Sequence, residues 1–150
     1  MMNKIFFLII SLFFIQLNAN AQSRKEAKKN HIKTCTVTKT EGNKTINESK
    51  ITFDKDGNEI EIVDYTKEGV VKSIHKLKYN SDGDEIEDLE YNGSNALVEK
   101  KTLKYNSLGE KTEEQFFDSA GKLSKKITYS YDAKGLKTSK TTYDAQGKLI

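Results

Sequence analysis

Proline and tryptophan are absent from the 150 residues, and there are only one cysteine and two histidines. Each shortage closes off a class. The lone Cys35 leaves no internal disulfide framework. With His31 and His75 it is also a thin stock for catalysis. Cys35 and His31 lie four apart, which on a strand is two pleats and beyond a hydrogen bond. The chain is expected to be no enzyme, with Cys35 a small thiol that packs or links two molecules. Hydrophobic residues make up 35% and charged residues 31%, too lean for a thick core. Charge of one sign is lacking as well. The formal net charge of +3 is spread over both signs, whereas a nucleic-acid binder presents one basic face.

Long apolar runs are lacking too, with one exception. In "MMNKIFFLIISLFFIQLNANAQ" a lysine precedes an apolar run from Ile5 to Leu17, and Ala19-Asn20-Ala21 follows in a small-x-small pattern. The run is too short for a comfortable membrane span and reads as a signal peptide over 1–21, cut before Gln22. No cysteine follows for lipid attachment. Removing 21 residues from 150 leaves 129, expected to be exported to the periplasm or beyond rather than integral to a membrane. Residues 22–35, with "SRKEAKKNHIK", read as a basic tether or covering segment, and 36–150 as the domain.

What is abundant is repetition. "FDKDG" at Phe53, "YNSDG" at Tyr79, "YNSLG" at Tyr105 and "YDAKG" at Tyr131 start 26 residues apart. "YTKEG" at Tyr65, "YNGSN" at Tyr91, "FDSAG" at Phe117 and "YDAQG" at Tyr143 keep the same period, displaced by 12. The Asx side chain favours a tight turn by bonding the backbone ahead of it. Glycine then takes the positive φ of a three-residue hairpin loop, with Asn95 standing in where glycine is missing. Each spacing of 12 or 14 is one strand plus one turn. The expected fold is all-β: an antiparallel meander of hairpins in one elongated sheet, two strands and two turns per 26-residue unit.

Both spacings are even, and from Ile51 onward nine of ten aromatics are odd-numbered. This predicts that one face carries all of them, with Leu77, Leu103 and Ile127, while even positions face water. Tyr79, Tyr105 and Tyr131 should be more buried than Lys78, Lys104 and Ser130. The even-numbered Ile60, Ile62, Val70, Ile74, Ile86 and Val98 suggest that the early strands bury both faces. "HIKTCTVTKT", itself strand-like, is a candidate to cover the second one.

At "YSYDAKGLKTSKTTYDAQGKL" the sequence resembles the YD repeats of the RHS family, with a looser likeness to MORN-type hairpin repeats. The resemblance covers Ile51 to Ile150 and implies tyrosine-Asp-x-x-Gly turns between strands. In that family many repeats form a shell around a cargo; these units are too few to enclose one.

Two constellations carry candidate chemistry. Asp54, Asp56 and Glu59, then Asp82, Asp84 and Glu85, crowd carboxylates around two turns, the kind of oxygen set calcium takes. The ordinary role of such residues is to form the turns, and the full twelve-residue calcium loop is absent. Tyr143 and Leu149 close the chain around a turn followed by a stub of strand, so the strand before it is expected to offer an edge for a partner or for weak self-association. No organic cofactor is implied. The expected function is a non-catalytic binding or scaffolding module of the cell envelope, its partner an envelope protein or a glycan. The alternative is a calcium-dependent adhesion or stabilising module.

Overall fold

The computed structural model describes residues 24–150, so the signal peptide read at 1–21 lies outside the described residues. Helical backbone over residues 24–29 (α1) is followed by nine strands: β1 (Thr34–Glu41), β2 (Lys44–Phe53), β3 (Glu59–Tyr65), β4 (Val71–Tyr79), β5 (Glu85–Asn92), β6 (Leu97–Tyr105), β7 (Lys111–Asp118), β8 (Leu123–Tyr131) and β9 (Lys137–Asp144). They form one antiparallel sheet in strict chain order, the expected hairpin meander.

The turns explain the repeat. Asp54 Oδ1 accepts from the amides of Asp56 (2.8 Å) and Asn58 (2.9 Å). The Gly57 amide donates to the Asp54 carbonyl at 3.1 Å, and the Asp54 amide donates to the Asn58 carbonyl at 2.9 Å. The same four bonds recur from Asn80, Asn92, Asn106, Asp118, Asp132 and Asp144. Thr66 makes the side-chain pair at 3.3 and 3.4 Å, consistent with the weaker turn chemistry of a hydroxyl. The fifth residue of each motif must be left-handed: its glycines have φ from 76° to 85°, and Asn95 has 60°.

The single-face expectation fails, and the reason is local. Phe53 pairs with Glu59, but Thr52 pairs with Glu61, which leaves Ile60 unmatched in a bulge. A bulge adds one residue to one strand and so reverses the parity of pairing beyond it. The same step follows every later turn up to β9, leaving Lys72, Ile86, Val98, Thr112, Ser124 and Thr138 unmatched. Strand-body pairs therefore join odd to even, as in Ile51 with Ile62. Phe53, Tyr79, Tyr105 and Tyr131 share one face (face A) with Leu77, Leu103 and Ile127. Tyr65, Tyr91, Phe117 and Tyr143 share the other (face B) with Leu97, Leu123 and Leu149. The two series are one motif related by a half-turn about the long axis of the sheet.

Several even-numbered apolar residues thereby find their explanation. Ile60, Ile86 and Val98 are bulge residues and are exposed, and Val70 is exposed in a turn. Within single strands the alternation holds: Tyr79, Tyr105 and Tyr131 are partly buried, while Lys78, Lys104 and Ser130 are exposed.

On face A the tyrosines form a ladder. The hydroxyls of Tyr79, Tyr105 and Tyr131 donate to the carbonyls of Glu59 (3.0 Å), Glu85 (2.9 Å) and Lys111 (2.7 Å), each 20 residues back. Phe53 opens the series, and α1 packs there instead: Ala27 is 3% exposed and Phe53 8%. "HIKTCTVTKT" does not lie over a face; β1 pairs with β2 at the edge, and all eight of its residues are exposed. Face A also carries ion pairs. Lys101 reaches from β6 to Glu85 (2.8 Å) and Asp88 (3.4 Å) on β5, while Lys111 pairs with Glu114 within β7. Burial alone would lower the Lys101 pKa, but the pairing outweighs it and holds the ammonium above its usual 10.5. Among the described residues no helix is long and apolar enough to cross a membrane.

Candidate functional site

A hollow lies on face A where β3, β4 and β5 meet the turn at 54–58. Its volume is about 560 Å³. Face-A alternation brings Ile62 and Asp64 from β3, His75, Leu77 and Tyr79 from β4, and Glu85 and Asp88 from β5 to its walls. Arg24 of α1 closes one side.

Glu59, Asp64, Glu85 and Asp88 make this wall acidic. His75 Nδ1 lies 3.0 Å from Asp88 Oδ1. The Ser73 hydroxyl donates to Asp64 at 3.2 Å. Glu59 has no ion-pair partner among the described residues, and burial raises its pKa above the usual 4.5. The Tyr79 phenol is pushed far above its usual 10.0 by burial and then by Glu85 and Glu59, so it stays a protonated donor.

The six carboxylates read as calcium candidates are placed differently. Asp54 is consumed by its own turn, with Oδ1 accepting two amides and Oδ2 the Asn58 side-chain amide at 2.8 Å. Asp56 is paired with Lys28 at 3.1 Å. Asp84 accepts from Asn80 at 3.2 Å, Asp82 is exposed in its turn, and Glu85 is engaged by Lys101. Glu59 faces the cleft. No group of three His, Cys, Asp or Glu side chains placed to hold a metal occurs among the described residues. The basic segment read as a tether or cover answers the acidic turns: Arg24 Nη1 donates to the Gly83 carbonyl at 3.2 Å, and Lys28 pairs with Asp56. Millimolar calcium is accordingly expected to leave the melting temperature unchanged. A rise that Asp54→Asn and Asp82→Asn abolish would show that the carboxylates rearrange to bind it.

At the other candidate, Tyr143 pairs with Leu149 in an isolated bridge, and the Ile150 amide donates to the Thr142 carbonyl at 3.0 Å. The final residues thus pair with the end of β9, while residues 137–141 have no strand on their outer side among the described residues. Cys35 is a free, exposed thiol on β1.

Sequence reasoning missed Arg24, Asn58, Asp64, His75, Tyr79 and Asp88 as cleft residues. His75 and Asp88 lie 13 apart in sequence, and only the bulge after Tyr79 brings them to one face. Arg24 reaches across 59 residues.

No protein-family model matches the chain, and comparison with curated proteins gives no match. Among solved structures, a protein of unknown function from Bacteroides fragilis NCTC 9343 is similar at TM-score 0.43 and 17% identity, over 81% of this chain and 91% of that one. TarM is similar at TM-score 0.34 and 16% identity, over 87% of this chain but only 23% of its own. A DUF3836 family protein from Parabacteroides distasonis ATCC 8503 gives TM-score 0.26 and 15% identity, over 75% and 91%. Likenesses this remote carry no argument about function.

Proposed function

We propose that the protein is an exported, non-catalytic binding or scaffolding module of the cell envelope. One observation carries this reading: a single-layer sheet leaves both of its faces largely open. Among the described residues only Ala27, Phe53, Leu103 and Ile127 are buried apolar side chains. Open, mixed faces with a formed hollow suit the recognition of another molecule. The leading run before Gln22 supports export, and the Tyr-Asx-x-x-Gly turns support kinship in style with YD repeats. The partner on this reading is an envelope protein or glycan.

The test is cross-linking in native envelopes, followed by mass spectrometry of the captured species and of the protein's own N-terminus. A discrete partner and a chain starting at Gln22 are expected. A chain that keeps residues 1–21 in the cytosol, or one that captures nothing, would count against it.

A further inference from the structure

We propose that the face-A cleft receives a cationic side chain, arginine first, presented by an extended segment of a partner protein. This deepens the binding-module reading and rests on it.

The cleft is rich in acceptors. Four carboxylates line it, and the cations beside them are few: Lys101 is shared between Glu85 and Asp88, and Arg24 stands at the side. Glu59 and Asp64 are left without an ion-pair partner among the described residues. A second, independent sign is Asn58, 7% exposed and part of the same wall. Its Nδ2 is spent on Asp54, and its Oδ1 has no hydrogen-bond partner among the described residues. A buried acceptor without a donor calls for one. A guanidinium offers five N–H donors in a planar fork, and its weak hydration makes it easier to bury than an ammonium.

The chain itself holds one such group at this place. The Arg24 guanidinium lies against Gly83 and donates to its carbonyl, so a side chain at Gly83 would overlap it. Arg24 lines both the cleft and an adjoining hollow of about 550 Å³ between the turns at 54–58 and 80–84. The cleft, at about 560 Å³, has room beside it for an incoming side chain and its backbone. Glu59 is the residue a structural role does not explain. Its carboxyl is held partly buried with no ion-pair partner among the described residues, and burial raises its pKa above the usual 4.5. Ionised Glu59 therefore weakens the fold at neutral pH, and the loss is relieved as pH falls toward its raised pKa.

The probe is acetyl-Gly-Arg-Gly amide, titrated into the ¹⁵N-labelled protein. Its controls are the lysine peptide and the citrulline peptide, which keeps the shape without the charge. Amide shifts are expected at Asn58, Glu59, Asp64, Tyr79 and Asp88, weakening as salt rises. The citrulline peptide and the Glu59→Gln variant should each bind about tenfold more weakly, as loss of one charge-assisted hydrogen bond implies. Glu59→Gln should meanwhile melt no lower than the parent, which separates a binding role from a structural one. No localised shifts, equal binding of the citrulline peptide, or an unaffected Glu59→Gln would each overturn the proposal. Capture of an envelope partner together with a silent titration would sink the cleft inference alone. Peptide binding without any envelope partner would instead sink the module reading.

Discussion

Gly57→Ala is expected to lower the free energy of unfolding by about 3 kcal/mol or more, against about 1–2 kcal/mol for Gly121→Ala. Both glycines are left-handed, with φ of 80° and 77°, so both variants bear the backbone cost of a Cβ in that region. Only Gly57 also supports α1. A Cβ there would overlap the Arg24 carbonyl and crowd the Lys28 amide, while Gly121 has nothing within 4 Å of the same position. Displacing α1 uncovers Ala27 and Phe53 and parts Lys28 from Asp56. Urea unfolding measures the difference. Hydrogen exchange locates it, because the Ile32 amide, which donates to the Ala27 carbonyl at 2.9 Å, should lose protection in Gly57→Ala alone. Equal costs for the two variants would mean that α1 contributes nothing to the sheet.

Leu103→Ala is the second large effect. Leu103 is 8% exposed in mid-sheet on face A, between β5 and β7 and directly opposite Glu114. Truncating a buried leucine costs about 2–5 kcal/mol, and a single layer that can relax toward solvent belongs near the lower end, about 2–3 kcal/mol. Leu108, five residues on and 79% exposed in a turn, should change stability by less than about 0.5 kcal/mol on the same substitution. A thin sheet has little stability to spare, so the first variant should already unfold at modest urea concentration. If both variants unfold together with the parent, face A is not a packed surface and the aromatic ladder does not hold it.

Strands and turns were legible because their chemistry is local. Asp54 bonds to amides two and four residues ahead, and Gly57 answers a φ requirement set by the same loop; neither needs knowledge of the rest of the chain. The face of each strand was not legible. It depends on the bulge after each turn, and the unmatched positions hold isoleucine, lysine, valine, threonine or serine, with no shared mark. Even spacing therefore suggested one apolar face where there are two. The acidic turns were visible as acids, but their counter-charges come from Lys28 and Arg24, separated from Asp56 and Gly83 by 28 and 59 residues. The cleft was hidden for the same reason. His75, Asp88 and Glu59 meet through register and α1 docking, neither of which is written in any short stretch.

The bulge has a consequence for how such a chain can lengthen. Every strand-and-turn of twelve or fourteen residues delivers its aromatic to the face opposite its predecessor's. Duplicating a single arm, rather than a whole unit, would therefore continue the sheet without a defect. The two sides would gain apolar surface in alternation, so growth would never turn the sheet into a one-sided greasy slab prone to stacking. Length and sidedness are uncoupled, and a lineage could vary the number of arms freely while keeping both surfaces wettable.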